Sequence, residues 1–440
     1  MKATEPRTSS HNPTSAAAGA LARALCRGLG SAVVLGAALF CTLPLASAQE
    51  SAPAADATPA KSVTSPEPEG LRIGIEGLLR AKERAVLARD ADAYMTFVDA
   101  ADAEFVKEQR YFANDFVRAG PDEFVLSVGP LTASDGSATG ELTMVWRMPG
   151  KKERTVGWDA RFVEHDGSWR YAGETWERFE APGVIVMHDP GLDELAKLTA
   201  EAFAVVRGHV EELFELTDTP QPKHTQKIKI YGNMAHLQAS ICLAYEQSLG
   251  GWNEPGESIK LLASRRTSPK QLQSLLAHEY GHCCTFVLGE KANNMPWWTL
   301  EGVAELAAEK YGRGGPPHAQ VQQWHTRKQL ADWADITDFH TTKPSMGGFV
   351  YSQGHHMVWY IKETHAAAKL NQWLRAMSRG LTIDEATKEV LGMDFATLDA
   401  NWRAEVARRA ATAGAGETKD EKSNADAPKS VEPAKEVPPK

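Results

Sequence analysis

Cysteine is scarce in this chain, with five in 440 residues. That is too few for a scaffold built on disulfides. Basic charge is short as well: 48 Lys and Arg stand against 57 Asp and Glu, for a net charge of −9. That balance, with no Lys- or Arg-rich block, argues against a nucleic-acid-binding protein. No internal repeat recurs along the chain. Hydrophobic residues make up 42% and charged residues 24%, which rules out collagen, a wholly disordered chain and a polytopic membrane protein. What remains is an ordinary globular protein, long enough for about three units of roughly 150 residues each.

The one long apolar run lies near the N-terminus. Lys2, Arg7, Arg23 and Arg27 precede an apolar stretch from Leu29 to Leu45, which ends in Ala46-Ser47-Ala48. A basic start, an apolar centre and a small-residue site are the parts of a cleavable secretory signal peptide. The expectation is a leader over 1–48 and export to the periplasm or beyond, with no membrane span kept after cleavage. An uncleaved anchor is the competing reading, and Pro44 and the small-residue site argue against it. Cys26 and Cys41 would leave with the leader, so Cys242, Cys283 and Cys284 remain. An odd count permits one disulfide, Cys242 with Cys283 or Cys284, or else three buried thiols.

Residues 49–70 are rich in Ala, Pro, Ser and Thr, and 410–440 in Ala, Lys, Glu, Asp and Pro. Neither stretch carries an aromatic residue. They read as a disordered linker and a disordered tail. Between them the chain divides in two. From 71 to 180 the spacing is first helical (Ile75, Leu78, Leu79, Val86, Leu87), then strand-like through Phe124–Val128, Leu142–Met148, Trp158–Val163 and Trp169–Tyr171. Trp146, Trp158, Trp169 and Trp176 are expected as core. From 184 to 409 the pattern is mostly helical, with strands at Lys227–Tyr231 and Ser258–Leu262. The fold class expected is α+β: a small domain of helices plus an antiparallel sheet, then a mostly helical domain with a small sheet. With its order of elements and its Asp166-Gly167-x-Trp169-Arg170-Tyr171 strand, the first domain resembles the cone-shaped folds of the nuclear transport factor 2 and SnoaL-like superfamily.

The chemistry is concentrated in His278-Glu279-x-x-His282. Two histidines four apart share one face of a helix and can both reach one zinc ion. Glu279 beside them can take a proton from an attacking water. A third ligand is available after an interval of 18 residues from His282, where Trp297-Trp-Thr-Leu-Glu-Gly-Val-Ala-Glu-Leu306 supplies Glu301. Two imidazoles and one carboxylate leave a fourth position open, the arrangement of a catalytic zinc site. Cys283 and Cys284 adjoin His282 but turn off its face, so they read as packing residues.

This string, HExxH followed by 18 residues and then Glu-Gly-x-Ala in a helix, resembles the gluzincin metallopeptidases. It is most similar to the peptidase MA-like group of bacterial exported proteins, over about 184–408. The resemblance implies one zinc ion on His278, His282 and Glu301, with Glu279 as general base and later acid. It implies that Glu305, one turn after Glu301, holds His278 by its second ring nitrogen. Val350-Tyr-Ser-Gln-Gly-His-His-Met-Val-Trp359 is similar to a family helix start whose tyrosine, here Tyr351, stabilises the developing oxyanion; His355 and His356 are alternative donors. Leu249-Gly-Gly-Trp-Asn-Glu-Pro-Gly-Glu-Ser-Ile-Lys-Leu261 looks like the family's edge strand. It makes Gly251 and Glu254 candidates for substrate binding, although the Gly-x-Met-Glu-Asn pattern of aminopeptidases is absent. The activity implied is hydrolysis of peptides or proteins. Two other readings stay open on the residues alone: a binding protein with a vestigial zinc domain, and a zinc hydrolase of non-peptide substrates.

Overall fold

The computed structural model describes residues 69–216, 225–245, 248–312 and 315–425. The leader expected over 1–48 and nearly all of the 49–70 linker lie outside the described residues.

The first part opens with three helices: α1 (Glu69–Leu87), α2 (Ala91–Met95) and α3 (Ala103–Arg118). Asp90 and Asp102 cap α2 and α3 by accepting hydrogen bonds from backbone N–H groups of the first turn. Ile75, Leu78, Leu79 and Val86 of α1 are buried, as their helical spacing predicts. An antiparallel sheet follows: β1 (Glu123–Val128), β2 (Thr132–Ser134), β3 (Ser137–Arg147), β4 (Glu153–His165) and β5 (Ser168–Glu174), in the order β1-β3-β4-β5 with β2 also on β3. Asp166-Gly167 turns the β4–β5 hairpin with both residues at positive φ (50° and 74°), the backbone that a two-residue hairpin of this hand requires. Trp146 is fully buried, while Trp158, Trp169 and Trp176 are only partly so.

The second part has its own five-stranded sheet: β6 (Glu177–Ala181), β7 (Val184–His188), β8 (Gln226–Tyr231), β9 (Gly251–Trp252) and β10 (Ile259–Leu262), in the order β6-β7-β8-β10-β9. The chain passes from β5 into β6 within three residues, so the strand-rich stretch feeds both sheets. β8 is parallel to β7 and β10, whereas β9 is antiparallel to β10 and stands at the edge. The helices are α4 (Asp193–Leu213), α5 (Met234–Ile241), α6 (Pro269–Phe286), α7 (Trp297–Ala308), α8 (His318–Thr326), α9 (Gly347–His365), α10 (Ala367–Ser378), α11 (Ile383–Leu391) and α12 (Phe395–Ala425). Helix α12 continues past residue 410 into the segment that composition assigns to a tail, through a stretch rich in Ala, Glu and Lys. Residues 426–440 lie outside the described residues. No described helix is long and apolar enough to cross a membrane.

The two parts share buried surface. Ala239 and Leu243, from the second part, pack in the core of the first. A buried ion pair joins Lys229 of β8 to Glu108 of α3 at 2.5 Å. The Trp146 indole N–H donates to the Leu243 carbonyl at 3.0 Å, and Arg154 donates to the Tyr245 carbonyl at 2.9 Å. Cys242, Cys283 and Cys284 are free thiols.

Candidate metal centre

Helix α6 begins with a reciprocal cap: the Ser268 hydroxyl accepts from Gln271 N–H, the Gln271 side chain accepts from Ser268 N–H, and Pro269 occupies the first turn. The helix runs unbroken through His278, Glu279 and His282. Gly281, between the histidines, is where α7 crosses. A β-carbon there would stand 3.1 Å from the Ala307 β-carbon and 3.2 Å from the Ala304 α-carbon. The small residues Gly281, Ala304 and Ala307 let the two helices approach closely enough to set Glu301 over the histidines.

His278 Nε2 lies 3.3 Å from Glu301 Oε2, and His282 Nε2 lies 3.5 Å from the same oxygen. Ligand atoms about 2.0–2.1 Å from a zinc ion at tetrahedral angles stand about 3.3–3.4 Å apart. The three side chains offer ligand atoms that all lie within 4.8 Å of one another. Glu301 Oε1 accepts from the Trp297 indole N–H at 2.8 Å, which fixes the carboxylate plane. Glu301 Oε2 is buried without a hydrogen-bond partner. A buried carboxylate oxygen left open between two imidazole nitrogens fits a divalent cation in both chemistry and spacing.

Glu305 completes the setting. Its Oε1 lies 3.4 Å from His278 Nδ1, on the far side of the ring from Glu301. A carboxylate there fixes the ring orientation and leaves Nε2 for a metal. Burial works against charge on His278, but the Glu301 and Glu305 carboxylates outweigh it and hold the imidazole well above its ordinary range. Burial also opposes charge on Glu301, yet the two histidines hold it far below the usual carboxylate range. For Glu279, burial and the neighbouring Glu301 and Glu305 raise the carboxyl above its ordinary value, against the pull of the histidines. Three carboxylates facing two imidazoles make a pocket that favours positive charge.

Gly251 of the edge strand β9 presses on Glu279: a β-carbon on Gly251 would stand 2.5 Å from Glu279 Oε1. Tyr351 sits in the first turns of α9 with its ring 6.2 Å from the His278 ring. Burial and the charges of Glu301, Glu305 and Glu279 push its hydroxyl well above the ordinary phenol range, so it stays protonated as a donor. Helix α9 reaches this position because Gly302 and Gly354 face each other across the α7–α9 crossing. A β-carbon on Gly302 would lie 2.6 Å from the Gly354 carbonyl.

His355 and His356 are turned to other tasks. His355 Nε2 pairs with Glu309 at 2.7 Å. His356 is fully buried, with Nδ1 accepting from the Trp402 indole N–H and Nε2 against His318 Nδ1, each at 2.9 Å. His355 Nε2 and both ring nitrogens of His356 are thus engaged with groups other than the metal-facing ones. Glu254 is also engaged: its carboxylate accepts from Asn293 at 3.1 Å, and burial together with Glu257 pushes it up to about 7.

Sequence patterning missed an aromatic wall. Tyr245 and Phe339 stack with centroids 5.9 Å apart, Trp252 meets Phe339 at 5.3 Å, and Trp297 meets Phe339 at 5.1 Å and Tyr351 at 6.3 Å. These rings link β9 to α9 around the metal-facing groups, and all are partly exposed. They come from five separate segments, so no local pattern joins them.

A sequence profile described as the Peptidase MA superfamily matches residues 208–408. Two solved structures resemble the N-terminal region. One is a Mycobacterium tuberculosis protein described as function unknown, at 15% identity and a TM-score of 0.19, covering 23% of this chain and 66% of that one. The other is a SEC-C motif containing protein from Rhodopseudomonas palustris, at 19% identity and a TM-score of 0.19, covering 23% of this chain and 76% of that one. No curated protein matches the chain. The profile spans the helices that carry His278, His282, Glu301 and Tyr351, and over residues 208–408 the chain is a domain of the Peptidase MA superfamily.

Proposed function

We propose that the protein is an exported zinc metallopeptidase that hydrolyses peptide bonds in peptides or proteins. The observation that carries this reading is the single buried Glu301 oxygen facing both His278 Nε2 and His282 Nε2 at tetrahedral-ligand spacing. His278, His282 and Glu301 hold one zinc ion, and Glu305 orients His278. Bound there, zinc acts as a Lewis acid that acidifies water and polarises a carbonyl. Glu279 takes the proton of the attacking water and later delivers it to the leaving amine. The Tyr351 hydroxyl donates to the oxyanion as charge develops.

The substrate lies along β9. That strand has β10 on one side only, so its outer backbone groups can pair with an extended peptide. Such a peptide passes Gly251, which brings its carbonyl to Glu279. The aromatic wall of Tyr245, Trp252, Phe339 and Trp297 then favours a large apolar side chain beside the scissile bond. Export rests on the leader read from the sequence. The test is metal dependence of cleavage. Hydrolysis of a casein-derived peptide mixture should stop on chelation and return with one equivalent of zinc. Cleavage that persists unchanged in metal-free protein would refute the zinc mechanism.

A further inference from the structure

A cavity of about 50 Å3 lies between α1, α3 and the antiparallel sheet of the first part and α5, β8 and β10 of the second. That is room for about three to five water-sized groups. Part of its lining is apolar, with Phe112, Phe124, Leu142 and Met144. Into it reaches Lys82 of α1, only 3% exposed. Its ammonium has no hydrogen-bond partner. It faces the rings of Tyr94 and Tyr171, at 3.8 and 4.6 Å from their centroids. The Tyr94 hydroxyl donates to Gln109 at 2.7 Å, and the Tyr171 hydroxyl accepts from the Trp158 indole N–H at 3.2 Å.

The other charged groups around this cavity are answered by the protein. Glu108 accepts from Lys229 and from Ser258. Lys260 donates to Glu257 at 2.7 Å. Glu174 accepts from the Tyr231 hydroxyl at 3.2 Å and has His236 at 3.9 Å. Lys82 alone among them has donors without an acceptor. A buried ammonium in that state is strongly disfavoured, and burial pushes it well below its ordinary range. An acceptor that carries negative charge removes both penalties at once.

We propose that this cavity is a binding site for a small aliphatic carboxylate of about two to four carbons, whose oxygens accept from Lys82 and whose alkyl end lies against the apolar lining. The site is separate from the metal centre and independent of the peptidase reading. The Tyr94 and Tyr171 rings position the Lys82 amine toward the cavity. The size limit excludes nucleotides and sugar phosphates.

The test uses the full chain with butyrate and its neutral analogue butyramide, read by saturation-transfer NMR and thermal unfolding. Butyrate should bind saturably in the millimolar range and raise the melting temperature, while butyramide should bind at least about tenfold more weakly. Lys82→Met replaces the ammonium with an apolar group of similar length. That variant should stay folded by circular dichroism and lose the butyrate response. Equal binding of butyrate and butyramide to the unmodified protein would overturn the proposal, whether or not the variant folds. So would an undiminished butyrate response in Lys82→Met, or no saturable signal with acetate, propionate or butyrate up to tens of millimolar.

Discussion

Gly251 lies against the Glu279 carboxylate so closely that a β-carbon on it would stand 2.5 Å from Oε1 and 2.7 Å from Cδ. The edge strand and the proposed general base are thus in direct contact, and the contact needs a residue without a side chain. Gly251→Ala should displace Glu279 and lower kcat by about 10- to 100-fold, because a misplacement of about 1 Å at a reacting group costs that much. Zinc content should not change, since the atoms nearest a β-carbon on Gly251 all belong to Glu279 and none to the three ligands. Steady-state kinetics with metal analysis checks both halves of this expectation.

Glu305 faces His278 Nδ1 at 3.4 Å. Replacing it by Ala removes the carboxylate that orients the ring. Zinc affinity, measured by competition with a chromogenic chelator, should fall by about 10- to 100-fold. Glu301→Gln should cost more, because it neutralises the oxygen that both histidines face. Equal zinc affinity in all three proteins would remove Glu301 and Glu305 from the metal site.

Tyr351→Phe removes only a hydroxyl. If that hydroxyl meets the oxyanion, kcat should fall by about 100- to 1,000-fold with little change in KM. A change confined to KM would make Tyr351 part of the substrate wall instead.

These expectations show how far the sequence was legible. His278, Glu279 and His282 are readable because helix geometry alone places residues four apart on one face. Glu301 is readable because a fixed interval joins two helix segments, and the packing of Gly281 on Ala304 and Ala307 then brings it in. The α+β class follows from the change of hydrophobic period near residue 120. Tertiary contacts lay beyond pattern reading. Tyr245, Trp252 and Phe339 meet only after three separate segments fold together. His355 and His356 read as potential donors, but His355 Nε2 meets Glu309 and the His356 ring meets His318 and Trp402, contacts that no local spacing reveals. Strands β6 and β7 follow the first sheet without a break in pattern, so their membership of the second sheet shows only in the pairing of β7 with β8.

The buried Glu108–Lys229 pair ties α3 to β8, which joins the two parts of the molecule. Burial would raise the Glu108 carboxyl, but the Lys229 and Lys260 charges and the hydrogen bonds from Lys229 and Ser258 hold it below the usual range. Its unfolded value is about 4.3. A folded pKa below that value gives stability that is whole above about pH 4.3 and is lost as pH falls towards the folded value. Glu108→Gln leaves Lys229 without its closest carboxylate and should cost about 3–5 kcal/mol at neutral pH. Its stability should also decline less steeply below about pH 4.3. Urea unfolding at a series of pH values reads both effects.

The most direct test of the central claim is mass spectrometry of a complex peptide library after incubation with the zinc-loaded protein, with Glu279→Gln as control. The account predicts new peptide termini with the unmodified protein and none with the variant, although both hold one zinc. Products should favour large apolar residues beside the cut, as the aromatic wall requires. Full cleavage by Glu279→Gln, or no cleavage by the zinc-loaded unmodified protein, would contradict the account.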